Sequence, residues 1–406
     1  MTGTGQIKRT DLAEIARSTK AWACYDCGKC TATCPLTRAG APYSPRRQVL
    51  ATNLGQRDEL ISGGALFTCL TCGLCDSRCP SGVEFSDLVR KLRELGRAEG
   101  AVPDCPHGGA LQSVMRMMAA GGARQNRLEW VTDDLKVQEK EGSVYFFAGC
   151  TMYLDAYFPE LGVTTLNGTR AAIKVLNRLG VEPVVSREER CCGHDLLWTG
   201  DRENFERLAR HNVELFARSG ATTLVAPCAE CLRTWKIDYA PYFQGPLPKT
   251  LHFTEYLAGN LEGLEFKGGA ARKVTFQDPC RLGRQLGIYD APRTVIAALP
   301  ETELVEMRHS RKNSTCCAGG PWSSCDRHAK EVQTRRLREA RTTGAEVLVT
   351  SCPKCQVHFK CTMQDPLLHD EITMEMRDIA ELVMDALDGH REHRDGPDRN
   401  RGEGSQ

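Results

Sequence analysis

The sequence has almost no net charge, few aromatic residues and no long apolar run. Lysine and arginine together number 53 against 52 acidic residues, which gives a formal net charge of +1. This balance offers no basic surface for nucleic acid or for an acidic membrane. Aromatic residues make up 6% of the chain and predict no stacking platform for single-stranded nucleic acid. No stretch of eighteen apolar residues occurs, so the sequence predicts no direct membrane span.

Signals for secretion and for nucleotide cofactors are also missing. Residues 1–11 are polar and lack the apolar centre of a signal peptide. No G-x-G-x-x-G follows a strand and no P-loop occurs, so we expect neither flavin nor nicotinamide on this chain. Electrons must therefore come from, or pass to, another subunit. We expect a cytoplasmic protein whose membrane association, if any, goes through a partner.

Cysteine, by contrast, is abundant. The 406 residues include 21 cysteines, an odd number, and several lie in C-x-x-C pairs. In a chain without a secretion signal, this usage favours metal binding over a disulfide framework. The length allows two or three domains. We predict a ferredoxin-like module over 11–100, a helical connector over 101–142, two α/β units over 143–265 and 266–387, and a disordered tail over 388–406.

The two α/β units are predicted from an internal duplication. Apolar runs at 144–147, 222–226, 273–277 and 347–350 indicate buried strands, and residues 169–179, 203–217, 292–299 and 328–341 have helical periodicity. Weaker strands are predicted at 181–185, which contains a proline, and at 303–307. Cysteines recur with the same order of elements, 124 to 130 residues apart. Each half is therefore predicted as a small α/β unit with a largely parallel sheet.

The N-terminal module carries two C-x-x-C-x-x-C-x-x-x-C-P motifs. This is the bacterial two-cluster ferredoxin spacing, in which the fourth cysteine ligates the other cluster. Structural zinc is the alternative, but zinc usually takes two separated C-x-x-C pairs. We expect a mainly helical module holding one cubane [4Fe-4S] cluster on Cys24, Cys27, Cys30 and Cys79, and a second on Cys69, Cys72, Cys75 and Cys34.

Each α/β unit carries five further cysteines: a single cysteine, a vicinal pair and a C-x-x-C. The single cysteine and the C-x-x-C each follow a predicted strand, at the sheet edge where ligands bind in open α/β folds. Five thiolates exceed the four that a cube needs, so each site could hold a noncubane cluster. The alternatives are a vicinal disulfide, zinc held by four of the five, or buried thiols without a metal. The two sets are Cys150, Cys191, Cys192, Cys228 and Cys231, and Cys280, Cys316, Cys317, Cys352 and Cys355.

Charged residues next to these cysteines have two possible roles. Arg281, Arg284 and Lys354 lie close in sequence to the predicted ligands of the second α/β unit. They could bind an anionic substrate or balance the charge of the clusters, and we favour charge balance.

These motifs resemble those of the heterodisulfide reductase family. The five-cysteine pattern resembles the family's CCG domain in two copies, and residues 24–30 resemble its small ferredoxin-like subunit. The whole chain resembles a fusion of the two, an architecture also found in iron–sulfur subunits of glycolate oxidase and anaerobic glycerol-3-phosphate dehydrogenase, and of complexes acting on sulfur carriers or aromatic thioesters. The resemblance implies two noncubane [4Fe-4S] clusters that face each other and split a disulfide. One departure is Ala318, where the family usually has glycine.

Two functions remain open on the sequence. In the first, electrons pass through the cubanes to the noncubane sites, which reduce a disulfide or related sulfur substrate, with Cys192 and Cys317 as catalytic ligands. His194 could give a proton to a leaving thiolate, or could be a loop residue that hydrogen-bonds a sulfur or the backbone. In the second, the chain only conducts electrons between a flavin dehydrogenase, or an aromatic thioester reductase complex, and quinone or ferredoxin. Both functions require other redox subunits, which we expect to contain flavin.

Overall fold

The computed structural model describes residues 11–122, 127–269, 272–323 and 325–389. Within these residues the N-terminal part is helical, and two parallel sheets with surrounding helices follow. The α-helices of the described residues are α1 (Leu12–Ser18), α2 (Lys29–Thr33), α3 (Pro35–Arg38), α4 (Pro45–Asn53), α5 (Arg57–Ser62), α6 (Phe85–Ala98), α7 (Ala110–Ala119), α8 (Thr151–Tyr157), α9 (Thr165–Arg178), α10 (His194–Trp198), α11 (Arg202–Arg218), α12 (Ala229–Arg233), α13 (Phe253–Ala258), α14 (Asp290–Ala298), α15 (Arg327–Arg341), α16 (Pro353–Met363), α17 (His369–Ile372) and α18 (Ile379–Asp388).

The two sheets have corresponding topologies. In the first, the parallel order is β1 (Val144–Phe146), β2 (Thr223–Ala226) and β3 (Lys249–His252), and an isolated parallel bridge joins Val184 to the free side of β1. In the second, the parallel order is β5 (Thr302–Leu304), β4 (Arg272–Phe276), β6 (Val347–Thr350) and β7 (Glu375–Asp378). The Val184 bridge thus corresponds to β5, and β3 corresponds to β7.

The strands at the centre of each sheet are short and apolar because helices cover both faces. All four residues of β6 are buried, as are all three of β1. Such continuous apolar runs are typical of parallel strands. The two units share one apolar core, in which Phe146 and Val225 of the first sheet belong to the same cluster as Phe276 and Val349 of the second. Helix α9 packs on α18 and the corresponding pair α14 and α13 packs in the same way, so two equivalent helix contacts cross the boundary.

The N-terminal module is built from short capped helices. The Asp11 side chain accepts a hydrogen bond from the Ala13 N–H at the start of α1, and the Ser44 hydroxyl accepts one from the Arg47 N–H at the start of α4. Helix α6 buries an apolar face that includes Leu88. The predicted mainly helical module and parallel α/β region are therefore both present.

Several elements differ from the sequence prediction. Within its described part the connector is α-helical only in α7, which a short 3-10 turn at Pro106–Gly109 precedes, and residues 127–141 form turns and a single bridge at Gln138. The strand predicted at 181–185 is reduced to the Val184 bridge, because Pro183 has no N–H to give to a ladder. Strands β3 and β7 and helices α13 and α18 were not predicted. The last helix ends at Asp388, one residue inside the predicted tail, and residues 390–406 lie outside the described residues.

None of the helices within the described residues is long and apolar enough to cross a lipid bilayer.

Arg93 of α6 joins the N-terminal module to the first α/β unit. Its guanidinium is fully buried and donates to the backbone carbonyls of Leu66 at 3.0 Å, Cys69 at 2.6 Å and Trp198 at 2.8 Å. Gly200 lies against the same helix turn, where a Cβ would come within 2.4 Å of the Arg93 carbonyl oxygen. Three carbonyls from two parts of the chain therefore depend on one buried cation.

Replacing Arg93 with Met should lower the free energy of unfolding by about 4 kcal/mol, because three buried carbonyls lose a charged donor. The measurement is the urea midpoint of the anaerobically prepared protein, followed by circular dichroism. Arg207→Met is the matched control, since Arg207 makes only an exposed pair with Glu203 on α11. Equal midpoints for the two variants would contradict the anchoring role of Arg93.

Candidate metal centres

The cysteines of both α/β units lie at the carboxyl ends of parallel strands. Cys150 follows β1 and Cys280 follows β4. Cys228 follows β2 and is the N-cap of α12, and Cys352 follows β6 and is the N-cap of α16. The sequence pattern predicts these four cysteines at the same strand ends. Each C-x-x-C begins a helix, and the helix dipole favours thiolate over thiol there.

The five cysteines of the first unit form one connected group. The Cys191 thiol lies close enough to interact with the thiols of Cys150 and Cys192. The Cys231 sulfur lies 3.5 Å from the Cys192 sulfur, and the Cys231 thiol also interacts with the Cys228 thiol. All are buried except Cys150, which is half-buried.

The five cysteines of the second unit are connected in the same order. The Cys316 thiol lies close enough to interact with those of Cys280 and Cys317, and the Cys355 thiol with those of Cys317 and Cys352. Again all are buried except the single cysteine, Cys280. The structure thus brings the members of each predicted five-cysteine set together in space.

Two further sulfur contacts join these groups to each other and to the N-terminal module. Cys228 of the first unit and Cys352 of the second lie close enough for their thiols to interact across the boundary between the units. The Cys316 thiol likewise lies close enough to interact with the Cys72 thiol of the N-terminal module. The second unit therefore lies between the module and the first unit in a continuous series of sulfur atoms.

The second cubane set also comes together. One small cavity is lined by the four predicted cysteines together with Tyr43 and Phe85. Cys34 is the fourth cysteine of the first motif, and in the structure it lies with the first three cysteines of the second motif. The four are Cys34, Cys69, Cys72 and Cys75, and all are buried.

The first cubane set lies at the surface. Cys24 and Cys30 are close enough to interact electrostatically, and the turn at residues 76–78, just before Cys79, packs against α2. Cys27 is exposed, whereas Cys24, Cys30 and Cys79 are half-buried. This set therefore has the most accessible sulfur of the four groups.

The two module loops repeat one backbone conformation. Asp26 and Thr71 both have positive φ, at 62° and 50°, and their N–H groups donate to the Cys24 and Cys69 sulfurs at 3.4 Å and 3.2 Å. Positive φ is unusual for a β-branched residue such as Thr71. Positive φ at both Asp26 and Thr71 indicates that both sites require this loop shape, in which backbone amides point toward a cysteine sulfur.

The residues that follow the two vicinal cysteine pairs also share one backbone conformation. Gly193 has φ 72° after Cys192, and its N–H donates to the Cys191 sulfur at 3.4 Å. Ala318 has φ 55° at the matching position after Cys317. The alanine therefore adopts the left-handed conformation that glycine would adopt more readily, and the shape of the second site is kept.

A buried ionic cluster lies beside the boundary between the units. Lys354 of the second unit donates to Asp195 at 2.5 Å and to Glu230 at 2.7 Å, both in the first unit. Burial alone would lower the pKa of Lys354, but the two carboxylates raise it well above its ordinary value. Burial would raise the pKa of Asp195, but Lys354 and then His194 hold it below its ordinary range. For Glu230 burial dominates and raises the pKa, so Asp195 is the stronger acid.

His194 has partners on both ring nitrogens. The Arg281 Nε–H donates to His194 Nε2 at 2.9 Å, which places the ring proton on Nδ1, 2.9 Å from Asp195. Burial lowers the pKa of His194 to about 3, and the Arg281 charge acts in the same direction. His194, Asp195 and Glu230 could geometrically hold a metal ion. The Lys354 ammonium, however, lies where such a cation would bind.

Arg281 and Arg284, which the sequence predicts to balance charge, also hold the second cubane loop. Arg281 donates to the Thr71 carbonyl at 2.7 Å and to its hydroxyl at 2.8 Å. Arg284 donates to the Cys72 carbonyl at 2.8 Å.

The ion pair between Glu230 and Lys354 was not predicted. Both residues lie inside a C-x-x-C, in C-A-E-C and C-P-K-C, at matching positions of the duplication. Their opposite charges at these positions were the signal that could have revealed the pair.

The donor sets fit iron–sulfur clusters. Soft thiolates favour iron–sulfur or zinc sites, and five connected cysteines exceed the four ligands of structural zinc. The remaining three cysteines stand apart from these groups: Cys361 is contacted by the Lys330 ammonium at 2.9 Å, Cys325 is exposed, and Cys105 is half-buried.

Comparison with known proteins agrees with this architecture. Residues 144–236 and 274–360 each match the cysteine-rich domain family CCG, and residues 23–84 match the 4Fe-4S dicluster domain family. One subunit of the dihydromethanophenazine:CoB–CoM heterodisulfide reductase of Methanosarcina barkeri is 31% identical over 401 residues, covering 90% of this chain and 93% of the relative. The chain belongs to the heterodisulfide reductase family. It is an iron–sulfur protein of the 4Fe-4S type, and the resemblance seen in its motifs is thereby confirmed.

Other similar proteins carry different names. One subunit of the fumarate reductase (CoM/CoB) of Methanothermobacter marburgensis is 28% identical, covering 93% of this chain and 75% of the relative. A probable membrane-anchored ferredoxin of Chromohalobacter salexigens is 30% identical, covering 90% and 60%. A hypothetical protein of Helicobacter pylori has a similar fold, with a TM-score of 0.56, 9% identity, and coverage of 94% of this chain and 72% of that chain.

The close approach of Gly149 to Cys231 gives a test of the first five-cysteine site. A Cβ on Gly149 would lie 2.8 Å from the Cys231 sulfur, at φ 67°. Gly149→Ala should therefore displace a ligand and lower the iron content of the purified protein, as measured by a colorimetric iron assay. Gly162→Ala is the control, because Gly162 also has positive φ, at 58°, but no atom lies within 4 Å of its Cβ position. Unchanged iron in Gly149→Ala would argue against a cluster at this position.

Proposed function

We propose that this chain is the iron–sulfur subunit of a multi-subunit redox complex and reduces a disulfide or a related sulfur substrate. Electrons enter at the surface and reach two five-cysteine sites that act together. The observation that carries this proposal is the continuous series of sulfur contacts, from Cys72 through Cys316 to Cys352 and Cys228.

The order of the sites follows from these contacts. The set of Cys24, Cys27, Cys30 and Cys79 has an exposed sulfur and is the point of entry. The buried set around Cys72 comes next, and the second α/β unit precedes the first because Cys316 contacts Cys72. The two units are therefore unequal in function, although their topologies correspond.

Four [4Fe-4S] clusters, two cubane and two noncubane in our proposal, would supply the one-electron transfers. The overall reaction takes two electrons and two protons, breaks one S–S bond and forms two thiols. We place the substrate at the boundary where Cys228 and Cys352 meet, and we propose Cys192 and Cys317, the second cysteines of the two vicinal pairs, as the catalytic ligands behind that boundary. Because Lys354 remains charged there, it would stabilise a developing thiolate.

We assign His194 a positioning role in place of proton donation. Its Nδ1–H is held by Asp195, and its Nε2 accepts from Arg281, so neither nitrogen carries a proton free to leave. The ring thereby fixes the Arg281 guanidinium 4.0 Å from the Trp198 ring and beside Thr71. This links the vicinal pair of the first unit to the loop of the second cubane set.

A partner redox subunit, flavin-containing in our proposal, would dock at the exposed cubane set. Four large apolar side chains are exposed near Cys27: Trp22 at 67%, Tyr25 at 63%, Leu50 at 45% and Leu54 at 63%. Leu50 lies on α4 and Leu54 directly follows it, and the end of this helix is held near Trp22 because the Asn53 side chain donates to the Ala21 carbonyl at 2.9 Å. Aromatic residues of this kind are enriched in protein interfaces.

The chain should carry about sixteen irons and little zinc when purified anaerobically, because four groups of thiolates are each expected to hold four irons. Iron and zinc are measured by mass spectrometry of the metals against protein concentration. About eight irons, accompanied by one or two zincs, would leave the N-terminal module intact as a dicluster domain but would overturn the proposal for the α/β units.

Replacing Cys317 or Cys192 with Ser should abolish disulfide reduction by a strong artificial electron donor while sparing the spectra of the cubane sets. Cys72→Ser should instead stop turnover with the physiological donor and leave the α/β units folded. Cys361→Ser is the control, because Cys361 lies outside the sulfur series. Assays follow thiol release, and electron paramagnetic resonance monitors each cluster type. A full rate in Cys317→Ser would exclude the catalytic role.

The second candidate, an electron conduit for a dehydrogenase, is favoured by the burial of eight of the ten cysteines in the α/β units. Burial limits access of a bulky substrate, whereas electron transfer needs no access. This second function would be favoured if the spectra of the fully iron-loaded wild-type protein did not change on addition of thiols or disulfides.

A further inference from the structure

A cleft opens to solvent between the N-terminal module and the second α/β unit. It lies between α3 and α15, has a volume of about 330 Å³, and is lined by residues of both parts of the chain. This size is within the range of small-molecule sites. We call it the α3–α15 cleft and define it by Arg38, Leu74, Arg308, Thr315, Val332 and Arg335.

The charge of the cleft is positive and uncompensated. Among the described residues, the guanidinium groups of Arg38 and Arg308 form no hydrogen bond or ion pair. Arg335 is paired with Glu331 at 2.5 Å and donates to the Arg38 carbonyl, which positions it at the rim. Two exposed guanidinium groups are therefore free to bind an anion.

The acidic residue in the lining does not offset this charge. Glu339 accepts from the Arg336 guanidinium at 2.8 Å and from both the N–H and the ring of His309, at 2.6 Å and 2.8 Å. Arg336 is fully buried behind it. The Glu339 carboxylate is consequently neutralised from within the protein and does not repel an anion in the cleft.

The floor of the cleft is apolar and lies directly behind cluster ligands. Leu74 precedes Cys75, Pro35 follows Cys34, and Thr315 precedes Cys316, so the lining is one residue from three sulfur ligands. Val332 of α15 is buried at the same floor. An occupant would therefore lie beside the second cubane set, at its junction with the second α/β unit.

We propose that the α3–α15 cleft binds a small organic anion with an apolar body, its carboxylate or phosphate group held by Arg38 and Arg308. Guanidinium groups bind such oxyanions through two parallel hydrogen bonds. The site is separate from the boundary at which the disulfide is placed. A negative charge bound beside the second cubane set disfavours its reduced form, so occupancy would regulate electron passage. This regulatory part rests on the proposed function.

The test is calorimetric titration of the iron-loaded full chain with phenyl phosphate, with inorganic phosphate and benzoate in parallel. Phenyl phosphate or benzoate should saturate one site and bind more tightly than inorganic phosphate, because the ring contacts Leu74 and Val332. The double variant Arg38→Ala, Arg308→Ala should weaken binding by about tenfold or more, and the corresponding double lysine variant by less. Arg207→Ala, with its exposed arginine on α11, should bind as the wild type does.

Binding is then located by potentiometric titration of the clusters. The bound anion should lower the reduction potential of the set around Cys72 and leave the exposed set unchanged. No saturable binding, or equal binding by the double alanine variant, overturns the site, and binding without a shift in potential overturns its placement beside the cluster. Iron is counted on the same samples, so a failure of the cluster assignment appears as missing iron and is distinguished from a failure of the cleft.

Discussion

The Lys354 ammonium is buried between the Asp195 and Glu230 carboxylates, and these three groups come from two different α/β units. Removing charged groups from water costs several kcal/mol for each, so none of them is stable in this place without its partners. The units cannot separate or shift without leaving a buried charge unpaired. Because Glu230 and Lys354 each lie inside a C-x-x-C, the same interaction that joins the units also fixes the distance between their sulfurs.

The two α/β units have the same topology but different side chains at several matching positions. His252 and Asp378 both end the last strand of their sheet and cap the following helix, yet His252 Nε2 lies 3.2 Å from the Ser351 carbonyl of the other unit, whereas Asp378 packs against Gly168. The pair of Glu230 and Lys354 shows the same contrast. Two identical units could not form this ion pair, so divergence at matching positions is what joins them.

The sequence predicted the fold class, the central strands and the strand ends that carry the α/β cysteines, because each rests on a short local signal: an apolar run, a C-x-x-C, or a spacing. It did not predict β3 and β7, which are edge strands of mixed polarity, K-T-L-H and E-M-R-D, and so lack the apolar run of a strand covered on both faces. The sequence also could not predict which residues from distant parts of the chain come into contact. That Cys316 meets Cys72, and that Arg281 meets His194, depends on how distant parts of the chain pack.

Arg93, Arg281 and Arg284 converge on the loop of the second cubane set, and each donates to a main-chain carbonyl of residues 66–72. A guanidinium does two things there. Its planar set of donors fixes the loop, and its charge compensates thiolates that burial would otherwise destabilise. At the exposed set, Arg46 is instead paired with Asp26 at 3.1 Å. Water can stabilise the thiolates at the surface, whereas fixed cations must do so in the interior, and this difference explains why buried arginines gather around the inner set.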